Sequence, residues 1–498
     1  MASSYDKIEE IARRRGLFWI GSEIYGGLSG FYDYAHLGSL IKARWEKEWR
    51  SFFLGLDDNF FEIQPAEIMH EKVWQASGHV ESFVDPVVKC KKCGNIERAD
   101  KLLEEQLKEN FEGISLEELS NVIKNHNLRC IKCKGSLEEV GVLNLMFPIT
   151  AGNDVRAYLR GETAQAAYVN FLREFECLRK KLPLGLAIVG KAFRNEISPR
   201  QLITRMREFT QAELQIFFDP DKIEEHPKFE SVKDYRLLAM PVKNRPQAME
   251  ITCEEMTRHV PQFYVYHMAR VQQFFLNVMK IPREAFFRFK ELSDEEKAFY
   301  NKYHWDIEVK LESIGGFLEV GGVHYRTDHD LGAHQKFSKQ DMSVFVGGKK
   351  FVPHVLELSF GVDRNIYALL ELCYREDRER STFAFPRNLS PFDCGLFPLV
   401  SKDGLDEKSE ELKAFLRDAG FSVFYDNSGS IGRRYRRMDE IGVPASITVD
   451  HKTLEDRTVT IRDRDSMQQV RVVIAELPEI LGKFLSGTAI ESLGTPIK

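Results

Sequence analysis

Hydrophobic and polar residues recur with two different periods along the chain, and the period indicates which segments are helices and which are strands. Apolar spacing close to 3.6 predicts a helix at 37–49, after a glycine-rich break at 25–34. A short strand is expected at 60–65, where the final proline prevents pairing on one edge. Farther on, alternating stretches at 184–190 and 214–218 flank a polar, arginine-rich loop. This pattern predicts an antiparallel hairpin with one polar face and one apolar face.

The pattern changes twice more toward the C-terminus. A mixed, charged stretch at 219–300 predicts a largely helical insertion, and 305–331 returns to strands. A helix that begins near Gly361 is expected to end the first structural unit. From 389 to 498, short strands and helices alternate with brief connections, which is typical of a separate α/β domain. The predicted boundary between the two units lies near residue 388.

Length and composition narrow the class of protein. With 498 residues, the chain has room for about three folding units. Hydrophobic residues make up 43% and charged residues 29%, a mixture that excludes collagenous, mucin-like and disordered proteins. The 70 basic and 76 acidic residues leave a net charge of -6. This balance excludes nucleic-acid binding by bulk positive charge, but it permits a local basic patch.

The chain shows no sign of targeting to a membrane. The first residues, from Met1 to Lys7, contain no apolar leader segment, and no run of 18 apolar residues occurs. Eight cysteines are also too few for a disulfide framework in a chain of this length. We therefore expect a cytoplasmic protein with no membrane partner.

Four of the cysteines form two Cys-x-x-Cys pairs, Cys90 with Cys93 and Cys130 with Cys133. Two such knuckles supply the four soft ligands that tetrahedral zinc prefers, so we predict a zinc-binding insertion at 85–145. The zinc either shapes a nucleic-acid contact or stabilises an insertion that lacks its own core. Four cysteine ligands leave no open position for chemistry, which favours a structural metal.

The segment from 193 to 213 carries the densest chemistry. If the strands continue through it, Arg194 and Glu196 share one face, and a second face carries alternating side chains of Arg205, Arg207, Phe209, Gln211 and Glu213. Arginine suits phosphate binding because it presents paired donors, and an aromatic ring can stack on a nucleobase. A solvated face of ion pairs does not explain this regular interleaving, so we expect a binding site for a phosphorylated ligand.

A second cluster, His324-Tyr-Arg-Thr-Asp-His-Asp-Leu-Gly-Ala-His334, contains three histidines and two aspartates. Such a set raises the possibility of another metal site. Its spacing matches no zinc-ligand template, so a structural role is favoured.

The arginine-rich segment resembles motif 2 of class II aminoacyl-tRNA synthetases, through Phe193-Arg-x-Glu196, a loop, and Arg205-x-x-x-Phe209. Gly361-Val-Asp-Arg364, followed by an apolar helix, resembles motif 3. The predicted helix ending near Phe53 and the strand that reaches Pro65 resemble motif 1, the dimer element of the class.

Other segments resemble the glycyl-tRNA synthetase family of the dimeric, archaeal and eukaryotic kind. These segments are Tyr25-Gly-Gly-Leu-Ser-Gly-Phe-Tyr-Asp-Tyr34, Arg160-Gly-Glu-Thr-Ala-Gln165, Arg207-Glu-Phe-Thr-Gln-Ala-Glu213 and Glu357-Leu-Ser-Phe-Gly361. The resemblance extends over nearly the whole chain. It implies an α+β fold in which an antiparallel class II sheet flanked by helices forms a catalytic domain at 1–388, with the insertions within it. It also implies that 389–498 is an anticodon-binding domain.

The resemblance implies that the protein uses ATP to activate glycine as glycyl adenylate and then transfers glycine to the 3′ end of tRNA(Gly), as a homodimer with Mg²⁺. Arg194, Glu196 and Arg364 would be the catalytic residues. Phe209 and Arg364 would sandwich the adenine, and Arg205 with Arg364 would reach the terminal phosphates. The implied ATP site comprises Arg194, Asn195, Glu196, Thr204, Arg205, Phe209, Glu319, Val320, Gly361 and Arg364. Glu319 and Glu357 would be candidate magnesium ligands.

Selection of glycine requires that larger side chains be refused, because glycine itself offers only an ammonium, a carboxylate and two hydrogens. The family implies a glycine site made of Arg98, Glu162, Phe209, Gln211, Glu213, Glu357 and Ser359. An added methyl group would meet desolvated carboxylate oxygens there. The chain departs from the family pattern at Gly161, Ala166 and Leu358, where proline, glycine and proline are usual.

The C-terminal unit contains an arginine-rich stretch that resembles the corresponding helix of class IIa anticodon-binding domains. Arg433, Arg434, Arg436 and Arg437 would contact tRNA phosphates, and Tyr435 would offer a stacking surface.

Two alternatives to this function remain for the chain as a whole. One is a non-catalytic nucleic-acid-binding relative, similar to the accessory subunit of mitochondrial DNA polymerase. The other is a synthetase for another small amino acid.

Overall fold

A computed structural model describes most of the chain as two units built on separate β-sheets. The described residues are 4–109, 111, 114–197, 199, 202–282, 287–376 and 380–497. The helices are Ser4–Arg15, His36–Leu54, Glu71–Ala76, His79–Ser82, Ala99–Leu107, Leu116–Asn125, Ala164–Cys177, Cys253–Met256, Gln262–Gln273, His329–Ser338, Val362–Cys373, Leu405–Asp418, Ile431–Ile441, His451–Asp456 and Leu477–Leu485.

The strands of the first unit are β1 (Phe18–Ile20), β2 (Tyr32–Tyr34), β3 (Phe60–Glu62), β4 (Ile68–His70), β5 (Val84–Lys89), β6 (Ile96–Arg98), β7 (Gly141–Asn144), β8 (Phe147–Ala151), β9 (Val155–Leu159), β10 (Leu184–Phe193), β11 (Glu208–Phe218), β12 (Arg236–Met240), β13 (Met249–Thr252), β14 (Phe287–Glu291), β15 (Tyr303–Leu311), β16 (Gly316–Thr327), β17 (Val344–Val346), β18 (Lys349–Phe351), β19 (His354–Gly361), β20 (Tyr374–Glu376) and β21 (Ser381–Phe383). Those of the second unit are β22 (Cys394–Pro398), β23 (Val423–Tyr425), β24 (Ala445–Val449), β25 (Thr458–Asp463), β26 (Gln469–Val473) and β27 (Thr495–Pro496).

A nine-stranded sheet forms the centre of the first unit, in the order β13-β12-β14-β15-β16-β19-β11-β10-β3. Its pairs are antiparallel except at β12 with β14 and β10 with β3. The predicted hairpin is confirmed, because β10 pairs with β11 over its whole length. The sheet is therefore the antiparallel platform expected of a class II synthetase.

Helices pack against one face of this sheet. In the helix His36–Leu54, the fully buried Trp45, Trp49 and Phe53 recur every four residues and pack against the sheet. Gly38 lets the helix approach the backbone at Leu17, just before β1, since a Cβ at this position would clash with the carbonyl oxygen of Leu17. The opposite face carries the helix Ala164–Cys177 at one end and leaves the rest open.

The stretch 219–300 differs from the largely helical insertion that its charged composition predicts. Three of its strands, β12, β13 and β14, belong to the central sheet, beside the helix Gln262–Gln273. Each strand has only four or five residues, so the alternation is too short to stand out from the surrounding charges. The stretch therefore extends the platform.

The insertion at 85–145 is a small unit built on β5, β6 and β7. Val88, Leu102, Leu103 and Leu119 belong to an apolar cluster of its own, beneath the helices that follow the first cysteine knuckle. The alternative in which zinc stabilises an insertion without a core of its own therefore does not hold, and any metal adds to packing that already exists.

The second unit is a mixed six-stranded sheet in the order β23-β22-β24-β25-β26-β27, with its own apolar core. Its elements follow the predicted alternation of strands and helices. An ion pair at 2.9 Å joins Arg44 of the first unit to Asp393 of the second. Within the described residues, no helix has the length and apolar character needed to cross a bilayer.

Candidate active site

A cavity of about 280 Å³ opens on the uncovered face of the central sheet. Its floor consists of cross-strand rows from β11, β19 and β16. In one row Glu213 pairs with Ser359, and Ser359 pairs with Gly322. In the next row Glu357 lies between Gln215 and His324. Side chains distant in sequence therefore meet on one surface because the strands are adjacent.

Most of the residues predicted for substrate binding line this one cavity. They are Glu162, Arg194, Glu196, Thr204, Arg205, Phe209, Gln211, Glu213, Glu319, Val320, Glu357, Ser359, Gly361 and Arg364. Asn195 and Arg98 do not line it. The backbone N–H of Asn195 donates to Leu145, and the Arg98 guanidinium bonds to Asp100 on the insertion.

The arginines of the loop between β10 and β11 define one end of the cavity. The Arg194 guanidinium lies 5.3 Å from the Phe209 ring centroid, and its Nε donates to the Gly161 carbonyl at 3.0 Å. Arg205 pairs with Glu196 at 2.8 Å. Arg194, Glu196 and Arg205 lie in the predicted arginine-rich loop, because β10 ends at Phe193 and β11 begins at Glu208. The strands therefore do not continue through these charged positions. Residues 198, 200 and 201 of this loop lie outside the described residues.

Arg364 faces the same end from the start of the helix Val362–Cys373. Its Nε donates to the Thr204 carbonyl and its Nη1 to the Glu319 carbonyl, both at 3.0 Å. The neighbouring Asp363 is buried, and its carboxylate accepts the Thr210 backbone N–H at 2.5 Å and the Tyr34 hydroxyl at 2.8 Å. Asp363 therefore joins the helix that carries Arg364 to β11 and to the N-terminal segment.

Three buried carboxylates, Glu162, Glu213 and Glu357, form the other end of the cavity, which we call the carboxylate cluster. Glu213 accepts hydrogen bonds from Thr163 at 2.5 Å and from Ser359 at 2.8 Å. Burial, with the charges of Glu357 and Glu162, raises the pKa of Glu213 to about 7. The pocket thus holds more negative charge than it can stabilise alone, so it favours a cation.

The other two carboxylates remain ionised because cations face them. Burial alone would raise the pKa of Glu357, but Arg326 and His324 outweigh it and lower the pKa to about 2. Burial would likewise raise the pKa of Glu162, yet His79 and Arg326 hold it well below its usual range. Glu213 is therefore the carboxylate of the cluster that is expected to change its protonation when a ligand binds, because the other two are already ionised.

Arg326 is the main site residue that sequence reasoning missed. Its guanidinium is buried, and it bonds to Asp330 at 2.8 Å and to Glu357 at 3.0 Å, with Glu162 at 3.7 Å. It also stacks on the Tyr300 ring at 4.6 Å. Arg326 lies inside the histidine-rich cluster, and its i, i+4 spacing to Asp330 was a usable signal of an ion pair.

The histidine-rich cluster does not form a metal site. His324 contacts Glu357, His329 stacks on the Tyr300 ring, and His334 bonds to Gln165 at 2.9 Å. The three rings thus have separate partners, and within the described residues the four cysteines alone have metal-ligand geometry.

The two candidate magnesium ligands lie at opposite ends of the cavity. Glu357 is opposite His324, and Glu319 precedes His324 by five residues on β16, which is roughly 15 Å along a strand. Glu357 is buried among cations, whereas the Glu319 side chain is 54% exposed beside Arg364. The exposed Glu319 is therefore suited to bind a magnesium ion together with phosphate groups. Glu357 is too far from Glu319 to bind the same ion.

The four cysteines of the insertion converge as a metal site requires. The sulfur atoms of Cys90 and Cys133 are 3.5 Å apart, and those of Cys93 and Cys130 are 3.7 Å apart. A zinc ion with bonds of about 2.3 Å would separate its tetrahedral sulfur ligands by about 3.8 Å. The residues therefore fit zinc.

The departures at Gly161 and Leu358 leave the pocket backbone ordered. Leu358 is fully buried in a central strand and pairs with Leu214 on one side and Val323 on the other. The two neighbouring strands therefore fix its backbone without the restricted φ of a proline. Gly161 is anchored through the bond from Arg194 to its carbonyl oxygen.

The helix Ile431–Ile441, which we call the arginine-rich helix, offers fewer contacts than the sequence suggests. Arg434 is buried and donates to the carbonyls of Asn427 and Gly429 at 2.9 and 2.7 Å. Arg437 pairs with Asp426, and the Tyr435 hydroxyl bonds to Thr448. Because Arg434 is buried, it does not offer the phosphate contact predicted for it, whereas Arg437 and Tyr435 stay partly exposed and keep their predicted roles as expectations. Arg433 and Arg436 are exposed.

Known proteins share both the fold and the sequence of this chain. A family model described as the tRNA synthetase class II core domain (G, H, P, S and T) matches 147–372, and an anticodon binding domain model matches 393–484. The fold is similar to that of the prolyl-tRNA synthetase from Cryptosporidium parvum complexed with L-proline and AMP, with a TM-score of 0.58 and 13% identity over 99% of this chain and 78% of that one. The fold, the cavity and these matches define a class II aminoacyl-tRNA synthetase.

The particular family follows from full-length relatives. Glycine–tRNA ligase from Pyrococcus furiosus is 39% identical, over 97% of this chain and 99% of the relative. The same enzyme from Aeropyrum pernix is 39% identical over 99% of both, and that from Methanococcus vannielii is 37% identical over 94% and 97%. The chain belongs to the glycine–tRNA ligase family.

Proposed function

We propose that this chain uses ATP to activate glycine as glycyl adenylate and then transfers glycine to the 3′ end of tRNA(Gly). One observation carries the proposal: a single cavity has arginines at one end and three buried carboxylates at the other. The arginines suit the phosphates of ATP, and the carboxylates suit the ammonium group of an amino acid. Family membership names glycine as that amino acid.

The first step requires positioning more than acid–base chemistry. The glycine carboxylate itself attacks the α-phosphorus of ATP, and pyrophosphate leaves in line. Arg194 would hold the α-phosphate and the glycine carboxylate, and Arg205 with Arg364 would hold the terminal phosphates. Phe209 and Arg364 would enclose the adenine. The bonds from Arg364 to two carbonyls fix its guanidinium before ATP arrives, which lowers the cost of ordering it.

Supporting residues complete the nucleotide end of the site. Glu196 would orient Arg205 through their ion pair. Thr204, Val320 and Gly361 would contact the nucleotide through their backbones, and Asn195 would hold the loop. Glu319 would hold a magnesium ion, which neutralises phosphate charge when it is bound.

The carboxylate cluster would bind the glycine ammonium. Glu162, Glu213 and Glu357 surround a small space, with Ser359 and Gln211 fixing the Glu213 carboxylate. A side chain on the α-carbon would displace these hydrogen-bonded groups, so larger amino acids would be refused. Arg98 does not line this space, and its guanidinium forms ion pairs with Asp85 and Asp100 on the insertion. We propose that Arg98 influences the glycine site indirectly, through these two carboxylates.

The second unit would read the tRNA. We propose that 389–498 is the anticodon-binding domain and 1–388 the catalytic domain, as the two family models suggest. Arg433 and Arg436 would contact tRNA phosphates because their side chains are exposed. We also propose a homodimer formed through the helix His36–Leu54 and β3, and a cytoplasmic location, both usual for synthetases of this class.

Amino-acid-dependent exchange of pyrophosphate into ATP tests the activation step. We expect exchange with glycine to be much faster than with alanine or serine, and glycine exchange to fall about 1,000-fold in Arg194→Ala, since a preorganised charge contact is removed. Exchange with another amino acid instead would overturn the choice of glycine. Lack of exchange with every amino acid, in a folded sample, would favour the non-catalytic nucleic-acid-binding alternative.

Metal analysis of the purified protein tests the zinc site. We propose that Cys90, Cys93, Cys130 and Cys133 hold one structural zinc ion per chain. Cys93→Ser should lose the zinc and increase amide hydrogen exchange within 85–145, because a metal ligand is removed. Cys177→Ser is the matched control, since Cys177 is an exposed cysteine outside the site. Zinc retained in Cys93→Ser would contradict the assignment.

A further inference from the structure

The imidazole of His324 occupies a place in the cavity that the mechanism above does not use. β16 holds His324 directly between Glu357 on β19 and His304 on β15. Its Nδ1 contacts Glu357 Oε1, and its ring meets the His304 ring edge to face, with centroids 4.2 Å apart. The side chain lines the cavity and is 14% exposed. It is therefore held on two sides and still faces the ligand space.

The ring leans along its own strand over Gly322. A Cβ placed at Gly322 would lie only 2.4 Å from Nε2 of His324. The ring thus fills the space that a side chain at this position would take. Gly322 pairs with Ser359, which in turn pairs with Glu213. The Nε2 side of the imidazole therefore reaches the row that holds Ser359 and Glu213.

Charged groups from three strands surround this ring. Glu357 approaches from β19, Arg326 from β16 and Asp306 from β15, where Asp306 also pairs with His304 at 3.1 Å. Burial alone would lower the pKa of His324, but the Glu357 carboxylate outweighs burial and raises it. Because the carboxylate oxygen of Glu357 can only accept, Nδ1 is the donor in the hydrogen bond that joins the two side chains.

We propose that His324 is a specificity-determining residue of the glycine pocket. The Nδ1–H group positions the Glu357 carboxylate toward the ammonium. The Nε2 side of the ring closes the space beside Ser359 against any substituent on the α-carbon. The carboxylates attract the substrate by charge, whereas this rigid ring limits its shape. The inference rests on the proposed function, because it assigns a further residue to the same site.

Two substitutions separate the two roles of the ring. His324→Asn keeps an amide N–H near the position of Nδ1 but removes the atoms over Gly322. We expect a KM for glycine within about twofold of the wild type, and a glycine-over-alanine ratio of kcat/KM about tenfold lower, as for one methyl group in a pocket. His324→Ala loses both roles, so its KM for glycine should also rise about tenfold, as for one lost charge-assisted hydrogen bond.

Pyrophosphate exchange with glycine and with alanine measures the KM for glycine and the glycine-over-alanine ratio of kcat/KM. His451→Ala, an exposed histidine on the second unit, is the matched control and should leave them unchanged. Full discrimination against alanine in both His324 variants would overturn the proposal while the wild type still activates glycine. Absence of exchange in the wild type would instead overturn the proposed function. Glycine exchange by His324→Asn itself shows that its pocket is folded, so this variant decides the question if His324→Ala does not fold.

Discussion

The carboxylate cluster and the arginine-rich helix are both dense in charge, but they use it in different ways. In the cluster, adjacent strands place charged side chains from distant parts of the chain in one buried row, where Arg326 joins two of the carboxylates. On the helix, consecutive arginines point in different directions. Arg434 is buried against backbone carbonyls, whereas Arg433 is exposed.

The difference shows how the same residue type is divided between folding and function. A sheet brings every second residue to one face, so a run of alternating charges can form a single site. A helix turns by about 100° per residue, so a run of arginines is distributed around its axis. A charge run on a helix therefore contributes only its exposed face to binding.

The largest effect is expected from removal of the buried cation. Arg326→Leu should destabilise the protein by about 3 to 5 kcal/mol, because it leaves Glu357 and Asp330 buried without their partner. Chemical denaturation measures this change. Arg364→Leu is the comparison, since Arg364 is partly exposed and should lose activity with much less stability. Equal stability of the two variants would show that the buried row does not depend on Arg326.

The second largest effect is expected on the arginine-rich helix, where substitution of Arg434 and of its neighbour Arg433 should have different results. Arg434→Ala should destabilise the second unit by about 2 to 3 kcal/mol, because the buried guanidinium and its charge-assisted hydrogen bonds to the carbonyls of Asn427 and Gly429 are lost. Arg433→Ala should change stability by less than about 0.5 kcal/mol and raise the KM for tRNA about fivefold. Thermal unfolding and aminoacylation kinetics distinguish the two outcomes. If Arg433→Ala leaves the KM for tRNA unchanged, the exposed face of the helix does not contact the tRNA.

The smallest effect concerns the protonation of the carboxylate cluster. Glu213 has a pKa of about 7 in the folded protein, against a usual value near 4.5, so the folded state binds an extra proton between these values. Without glycine, stability should therefore fall by about 1 kcal/mol as the pH rises from about 6 to 8. Glu213→Gln should lack this part of the pH dependence. Urea denaturation of both proteins at the two pH values measures the difference, and parallel curves would contradict the raised pKa.

Much of the platform could be predicted because its long strands have clear patterns. The hairpin of β10 and β11 and the whole second unit follow the expected alternation. The stretch 219–300 could not be predicted, because β12, β13 and β14 pair over only a few residues and join the sheet through tertiary contacts. Local sequence carries little information about such pairings.

The site could be predicted where a motif keeps its residues together. The motif 2 and motif 3 segments meet in the cavity, with Asn195 as the exception. His324 and Asp363 were missed because their partners lie on other strands and helices, and no spacing along the chain reveals such contacts. For Arg326, the i, i+4 spacing to Asp330 was visible in the sequence, but its contacts with Glu162 and Glu357 were not. Arg434 was assigned to tRNA because sequence alone does not show which side of a helix is buried.

The packing of Trp45 and Trp49 against the central sheet makes intrinsic tryptophan fluorescence a probe of the first unit. All five tryptophans, at positions 19, 45, 49, 74 and 305, precede the second unit, which has none. Selectively excited tryptophan emission therefore follows unfolding of the first unit, whereas circular dichroism follows both units. A gap between the two melting curves would measure how far the second unit and the first unit unfold independently, without any added dye.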